Sequence, residues 1–169
     1  ESGQDPGHDL RRREQVGVRG SAPALVQVAG VVGHDQDPSV RSKAGHDVLD
    51  FGPEPGSGSV DYPDYAGPVA DAVLGGRADF GLLICNTGLG MSMAANRRRG
   101  IRAALCLFPL MADYARRHND ANVLVLGAGL TGGFLAREIL QAFLSGGFEG
   151  GRHARRIGKL DDPGRAGSE

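Results

Sequence analysis

Phe80–Cys85 reads FGLLIC and runs straight into Asn86–Gly90, NTGLG. A continuous apolar run of this kind marks a strand covered on both faces, as in the interior of a parallel sheet. It empties into a glycine loop, and a helix is expected from about Met91 to Arg98. Cys85 is thereby set beside backbone N–H groups and the positive end of a helix dipole, surroundings suited to a negatively charged sulfur. Gly88 and Gly90 let the backbone turn its amides towards a ligand, so the loop suits a phosphate or an oxyanion that develops during reaction. It is not a P-loop, because no Gly-Lys-Ser/Thr follows. Nor is it the dinucleotide fingerprint, because Met91 and Ser92 follow where a third glycine would be needed.

Working outward, short apolar runs alternate with helix-length amphipathic segments from Ala44 onward, the pattern of βαβ units and a parallel sheet. Upstream, His46–Phe51 makes a short strand and Gly52–Ser59 a loop. Asp61–Leu74 turns helical after Pro63, buries Ala66, Val69, Ala70 and Val73 at helical spacing, and stops at Gly75 and Gly76. Downstream, Ile101–Cys106 is a strand, Pro109–His118 a helix with proline in its first turn, and Asn122–Leu126 a strand. Thr131–Leu144 is a helix whose apolar stripe holds Phe134, Leu135, Ile139 and Phe143. A glycine-rich, then basic stretch runs from Gly146 to Arg156. Glu1–Arg19 is polar and irregular, and Ala24–Val32 is expected to fill the first-strand position beside the most apolar strand. The reading is one α/β domain over residues 23–160, with an atypical or disordered segment at 1–22 and a disordered tail at 161–169.

Composition narrows the function classes. The chain has 169 residues, 40% of them hydrophobic and 23% charged, with 28 glycines and no tryptophan, so small aliphatics must do most of the packing. A formal charge of -1 gives no global field for nucleic acid or an anionic membrane, and any anion site must be local. There is no apolar run of spanning length, and the N-terminus lacks a signal-like stretch, which makes the cytoplasm the expected compartment. Cys85 and Cys106 are the only cysteines and both end apolar runs, which suits reduced thiols better than a disulfide.

Each candidate also has a plain structural reading. Cys85 can be a buried strand-end cysteine, as can Cys106, which no glycine loop follows. His118, in Arg-Arg-His-Asn-Asp at a helix end, can serve the helix dipole. Arg152, His153, Arg155 and Arg156 can be a solvated basic tail.

Taken together these segments are not isolated. GHDVLDFG (Gly45–Gly52), DYPDYA (Asp61–Ala66), ICNTGLGMSMAAN (Ile84–Asn96), GIRAALC (Gly100–Cys106), RHNDANVLVLG (Arg117–Gly127) and FEGGRHARR (Phe148–Arg156) resemble the ribose-5-phosphate isomerase B and galactose-6-phosphate isomerase family in order and spacing over residues 45–157. The resemblance implies a three-layer αβα, Rossmann-like or flavodoxin-like parallel sheet. It also implies no metal and no other cofactor, a phosphorylated sugar as the small-molecule partner, and a homodimer or homotetramer with active sites between subunits. The implied reaction is aldose–ketose isomerisation, with ribose 5-phosphate and ribulose 5-phosphate as the default pair. Cys85 would move the proton, Thr87 would orient the open-chain sugar, and the amides of Asn86, Thr87, Gly88, Leu89 and Gly90 would stabilise the enediolate. His118 would open the furanose ring, Asn119 would hold a sugar hydroxyl, and Arg152 and Arg156, four residues apart, would bind the phosphate from one side of a helix.

The pattern departs from the family in three places. Pro23 and Ala24 stand where the family has a Ser-Asp-His-Ala-Gly-like motif, and neither Gly7-His8-Asp9 nor Gly33-His34-Asp35 falls at the right distance. Asn86 stands where glycine is usual, and Gly129 where many members carry an arginine. These departures keep a second reading open, a non-catalytic sugar-phosphate-binding or partner subunit of the same family.

Overall fold

The structure, a computed structural model, describes residues 25–30, 46–54 and 57–162. The expected N-terminal segment, both early Gly-His-Asp triplets and the tail beyond Asp162 lie outside the described residues. Five strands form one sheet in the order β2-β1-β3-β5-β4. They are β1 (Leu25–Gly30), β2 (Asp47–Asp50), β3 (Phe80–Cys85), β4 (Ala103–Leu105) and β5 (Val123–Gly127). All pairings are parallel. β3 takes the central place because its run is apolar on both faces: Val26 is registered with Phe80 on one side, and Cys85 with Gly127 on the other. β1 occupies the position expected for the stretch around Ala24–Val32.

Side-chain alternation along the strands divides the core in two. Leu83, Cys85, Val123 and Val125 point to one face, where they meet Ala66, Val69, Ala70 and Val73 of helix α1 (Pro63–Leu74) and Met91 and Ala95 of helix α2 (Leu89–Ala95). Leu82, Leu124 and Leu126 point to the other. There they meet Ala112 and Ala115 of helix α3 (Pro109–Asn119) and Ile139, Leu140 and Phe143 of helix α4 (Gly133–Ser145). The result is a three-layer αβα sandwich of Rossmann-like type. A fifth helix, α5 (Arg152–Asp161), packs beside α3 and buries His153 and Ile157. The basic stretch after Gly151 is therefore helical, and Asp161, expected to open the tail, is the last residue of that helix.

Three boundaries differ from expectation for identifiable reasons. α2 starts at Leu89, two residues early, because Gly88 takes the left-handed conformation (φ 79°) and begins the helix at once. It ends at Ala95 rather than Arg98 because the Asn96 carboxamide is drawn to β4: its Oδ1 accepts the Ala103 N–H at 2.8 Å and its Nδ2 donates to the Ala103 carbonyl at 2.9 Å. That side chain occupies the free edge of β4 as a neighbouring strand would. β4 itself begins only at Ala103, since the Arg102 N–H donates to Asn122 Oδ1 at 2.9 Å instead of entering a ladder. One member of the expected α4 stripe also fails, because Phe134 is 74% exposed in the first turn of the helix.

Candidate active site

β1 connects to β2 on one side of the sheet, while β3 lies on its other side, so the C-terminal ends of β1 and β3 flank a topological switch point. Crevices at such points are where open α/β sheets bind ligands. Cys85 closes β3 at this crevice, 9% exposed. The Gly88 N–H donates to its Sγ at 3.1 Å. A thiol sulfur is a weak acceptor, so a backbone donor aimed at it gains most when sulfur carries negative charge. Gly88 is required in this turn: besides its positive φ, a Cβ there would run into Leu105 Cδ1. Thr87 is half-buried, and its Oγ1 accepts the Leu89 N–H at 3.4 Å. Two amides of the loop are thus directed at the loop's own side chains, at Cys85 and Thr87.

Cys106 is a contrasting thiol. It is 1% exposed, its Sγ faces the Ala104 carbonyl at 3.6 Å, and burial pushes it up to about 11. The plain structural reading holds for this cysteine.

The two departures in the loop prove to be one feature. Ladder bonding continues past the strand ends, with Ala128 N–H donating to the Cys85 carbonyl at 2.8 Å and Gly129 N–H to the Asn86 carbonyl at 2.9 Å. This brings residues 86 and 129 side by side, and a Cβ at Gly129 would collide with Asn86 Oδ1. The Asn86 carboxamide therefore fills the space that a side chain at 129 would use.

The remaining expected site residues lie elsewhere. His118 and Asn119 are in the last turn of α3, which descends from the C-terminal edge of the sheet towards the start of β5. There the Gly81 N–H donates to the Asn122 carbonyl. Cys85 lies four residues further along β3, about 13 Å at strand rise. The described chain accordingly gathers Cys85, Asn86, Thr87, Gly88, Leu89 and Gly90 at one end of the sheet, and His118 and Asn119 at the other. Arg152 and Arg156 belong to the second group. They are exposed on α5, one helical turn apart, while His153 between them is buried against α3.

Around His118 sits a cluster that sequence reading passed over in part. Its imidazole stacks on Tyr114 (ring centroids 4.7 Å apart) and on His153 (4.3 Å, planes 5° apart). Glu149 Oε2 lies 3.6 Å from His118 Nε2 and 3.9 Å from His153 Nε2. Arg117 donates from Nε to the other oxygen, Oε1, at 2.7 Å and is itself held by Asp113. Hydrogen bonding from Arg117 keeps the Glu149 carboxyl below the usual carboxylate range. Burial, followed by the charges of His118, Arg152 and Arg156, lowers His153. The available signal was spacing: Tyr114–His118 and Glu149–His153 are both i,i+4 pairs. Although His118, Glu149 and His153 offer ligand atoms within 4.8 Å of one another, the parallel stack does not suit a shared metal ion. An ion between the rings would lie out of the plane of both, away from the in-plane lone pairs.

The sequence model of the ribose/galactose isomerase family matches residues 37–160 of this chain. The chain belongs to this family. Among its relatives, the ribose-5-phosphate isomerase B of Escherichia coli (strain K12) is 49% identical over 113 residues, which cover 67% of this chain and 75% of the relative. The crystal structure of a ribose 5-phosphate isomerase from Thermotoga maritima aligns with a TM-score of 0.74 at 49% identity, covering 82% of this chain and 98% of that one. The type B ribose 5-phosphate isomerase of Trypanosoma brucei aligns at 0.76 and 38% identity, covering 84% and 99%. Membership makes the chain an isomerase, an enzyme rather than only a binding module. Among the described residues, no helix is long and apolar enough to cross a membrane.

Proposed function

We propose that the chain interconverts an aldose phosphate and its ketose, with ribose 5-phosphate and ribulose 5-phosphate as the leading pair. In this reading Cys85, as thiolate, takes the C2 proton of the open-chain aldose, and the electron pair moves onto the carbonyl oxygen to give an enediolate. Loop amides stabilise the oxyanion, and Thr87 orients the sugar. The O2 hydroxyl proton passes to O1, the abstracted proton is returned to C1 and C2 becomes the carbonyl of the ketose; no atom is gained or lost overall. His118 opens the furanose ring beforehand, Asn119 holds a hydroxyl, and Arg152 and Arg156 anchor the phosphate so that binding energy fixes the reacting carbons.

The observation that carries this reading is the Gly88 N–H aimed at the Cys85 sulfur at a strand end facing the crevice. Because His118, Asn119, Arg152 and Arg156 lie at the other end of the same sheet, a second copy of the chain supplies them. The exposed apolar side chains Leu89, Met93, Phe108, Leu110, Leu130 and Phe134 crowd the starts of α2, α3 and α4, around the Cys85 end, and give that copy a surface to cover.

The test is an isomerase assay of the purified chain on a panel of aldose phosphates, pentose, tetrose and hexose. Cys85→Ala is expected to lower kcat by about 10²- to 10⁴-fold on the best substrate, the range of a lost general base. Activity unchanged by Cys85→Ala would overturn the mechanism. Sugar-phosphate binding without turnover in the unaltered chain would favour the partner-subunit reading.

A further inference from the structure

We propose that Glu149 is a positioning residue for His118, pinned by Arg117 and aimed at the imidazole from the loop between α4 and α5, so that ring opening depends on it and enediolate formation does not. The proposal rests on the reading of His118 as the ring-opening group.

Glu149 divides its two oxygens between two tasks. Oε1 takes both the Nε and an NH2 donor of Arg117, at 2.7 and 2.5 Å, which fixes the carboxylate in rotation and translation. Its backbone is tied as well, since the Glu149 N–H donates to the Arg117 carbonyl at 3.0 Å. Oε2 is left facing the two imidazoles, at 3.6 Å from His118 and 3.9 Å from His153. A ring that accepts and releases a proton must keep one orientation through the cycle, and His118 is held from three directions. Tyr114 covers one face, His153 covers the other, and Glu149 meets the Nε2 edge.

Two imidazoles share one carboxylate, and both protonated would place like charges face to face at 4.3 Å. Burial against α3 works first against charge on His153, and His118, Arg152 and Arg156 act in the same direction. His118 is half-buried and keeps contact with solvent. Oε2 therefore meets the Nε2 edge of His118, the less buried of the two rings. Asp113 enters only by steadying Arg117, with its Oδ2 accepting from NH1 at 3.0 Å.

Two steps of the reaction separate this role from a purely structural one. An aldopentose 5-phosphate must open its furanose ring before it can lose the C2 proton. The ketopentose 5-phosphate has its O5 blocked by phosphate and reaches the enediolate directly, so exchange of its C1 hydrogen with solvent needs Cys85 but no ring opening. In Glu149→Gln, which keeps the shape and removes the charge at a surface position, kcat for the aldopentose is expected to fall about tenfold or more, with KM within about threefold. Exchange of C1 hydrogen from ribulose 5-phosphate into deuterium oxide should stay within about twofold of the unaltered chain, which also shows the variant is folded. Equal loss of both rates, or loss of neither, overturns the proposal. His118→Asn is the companion. If it shows the aldose-selective loss and Glu149→Gln does not, Glu149 has no positioning role; if it lowers both rates alike, the ring-opening reading of His118 is what fails.

Discussion

The two cysteines differ in what surrounds their sulfurs. Cys85 ends a strand at an open crevice and receives a backbone N–H, whereas Cys106 is sealed in the α3/α4 side of the core with the Ala104 carbonyl facing its sulfur. Only the thiolate reacts with an alkylating agent, and burial holds Cys106 at about 11. At pH 8, iodoacetamide is therefore expected to modify one thiol per folded chain, Cys85, and saturating sugar phosphate should slow that reaction. Peptide mass mapping that finds Cys106 labelled first would contradict this assignment. Cys85 was legible in the sequence because a strand-ending cysteine and a glycine loop are contiguous. The union of Asn86 with Gly129 was not, because it depends on the β3–β5 register, which places residues far apart in the chain against each other. Glu149 was legible only in its i,i+4 spacing to His153; its contacts with Arg117 and His118 cross a helix packing and left no pattern in the sequence.

At the scale of elements, α5 is held to the body of the molecule at both ends and in the middle. Near its start Glu149 bonds Arg117, at its end Arg102 faces Asp161 at 3.6 Å, and between them His153 and Ile157 are buried against α3. His153 is lowered below 6.5 in the folded state, chiefly by burial, so the unfolded or undocked segment binds the proton more readily. Stability from this site is full above about pH 6.5 and is lost as pH falls through and below that value, because ν for the open state then exceeds ν for the docked one. Hydrogen exchange of α5 amides, corrected for the intrinsic rate, should accelerate as pH falls below about 6.5. The same measurement on His153→Gln should show no such step; a step that persists would locate the titration elsewhere. Most elements could be read from apolar periodicity, and α1 and β3 were read to their ends because Pro63, the glycine pair at Gly75 and the Cys-Asn boundary punctuate them. Where an end was set by a distant side chain, as Asn96 and Asn122 set the limits of α2 and β4, periodicity carried no information.

On the scale of the whole molecule, the sheet itself explains why one copy of this chain does not gather the residues assigned to catalysis. In a parallel sheet with helices returning between strands, strand ends and helix ends necessarily lie at opposite edges. Cys85 ends a strand and His118 ends a helix, so the same topology that creates the crevice carries His118 away from it. If two copies pack antiparallel, so that the His118 end of each covers the apolar surface around Leu89, Phe108 and Phe134 of the other, each site takes its proton-transfer group from one copy and its ring-opening and phosphate groups from the other. Cys85→Ala and His118→Asn then damage different halves of every site. Mixed in equal amounts and allowed to exchange subunits, two inactive preparations would form mixed dimers in which one site is doubly damaged and the other is intact. Random pairing makes half of the dimers mixed, so about a quarter of the activity of the unaltered chain should return. A site built wholly within one chain would return none, whatever the time allowed for exchange, and that outcome would remove the second copy from the mechanism.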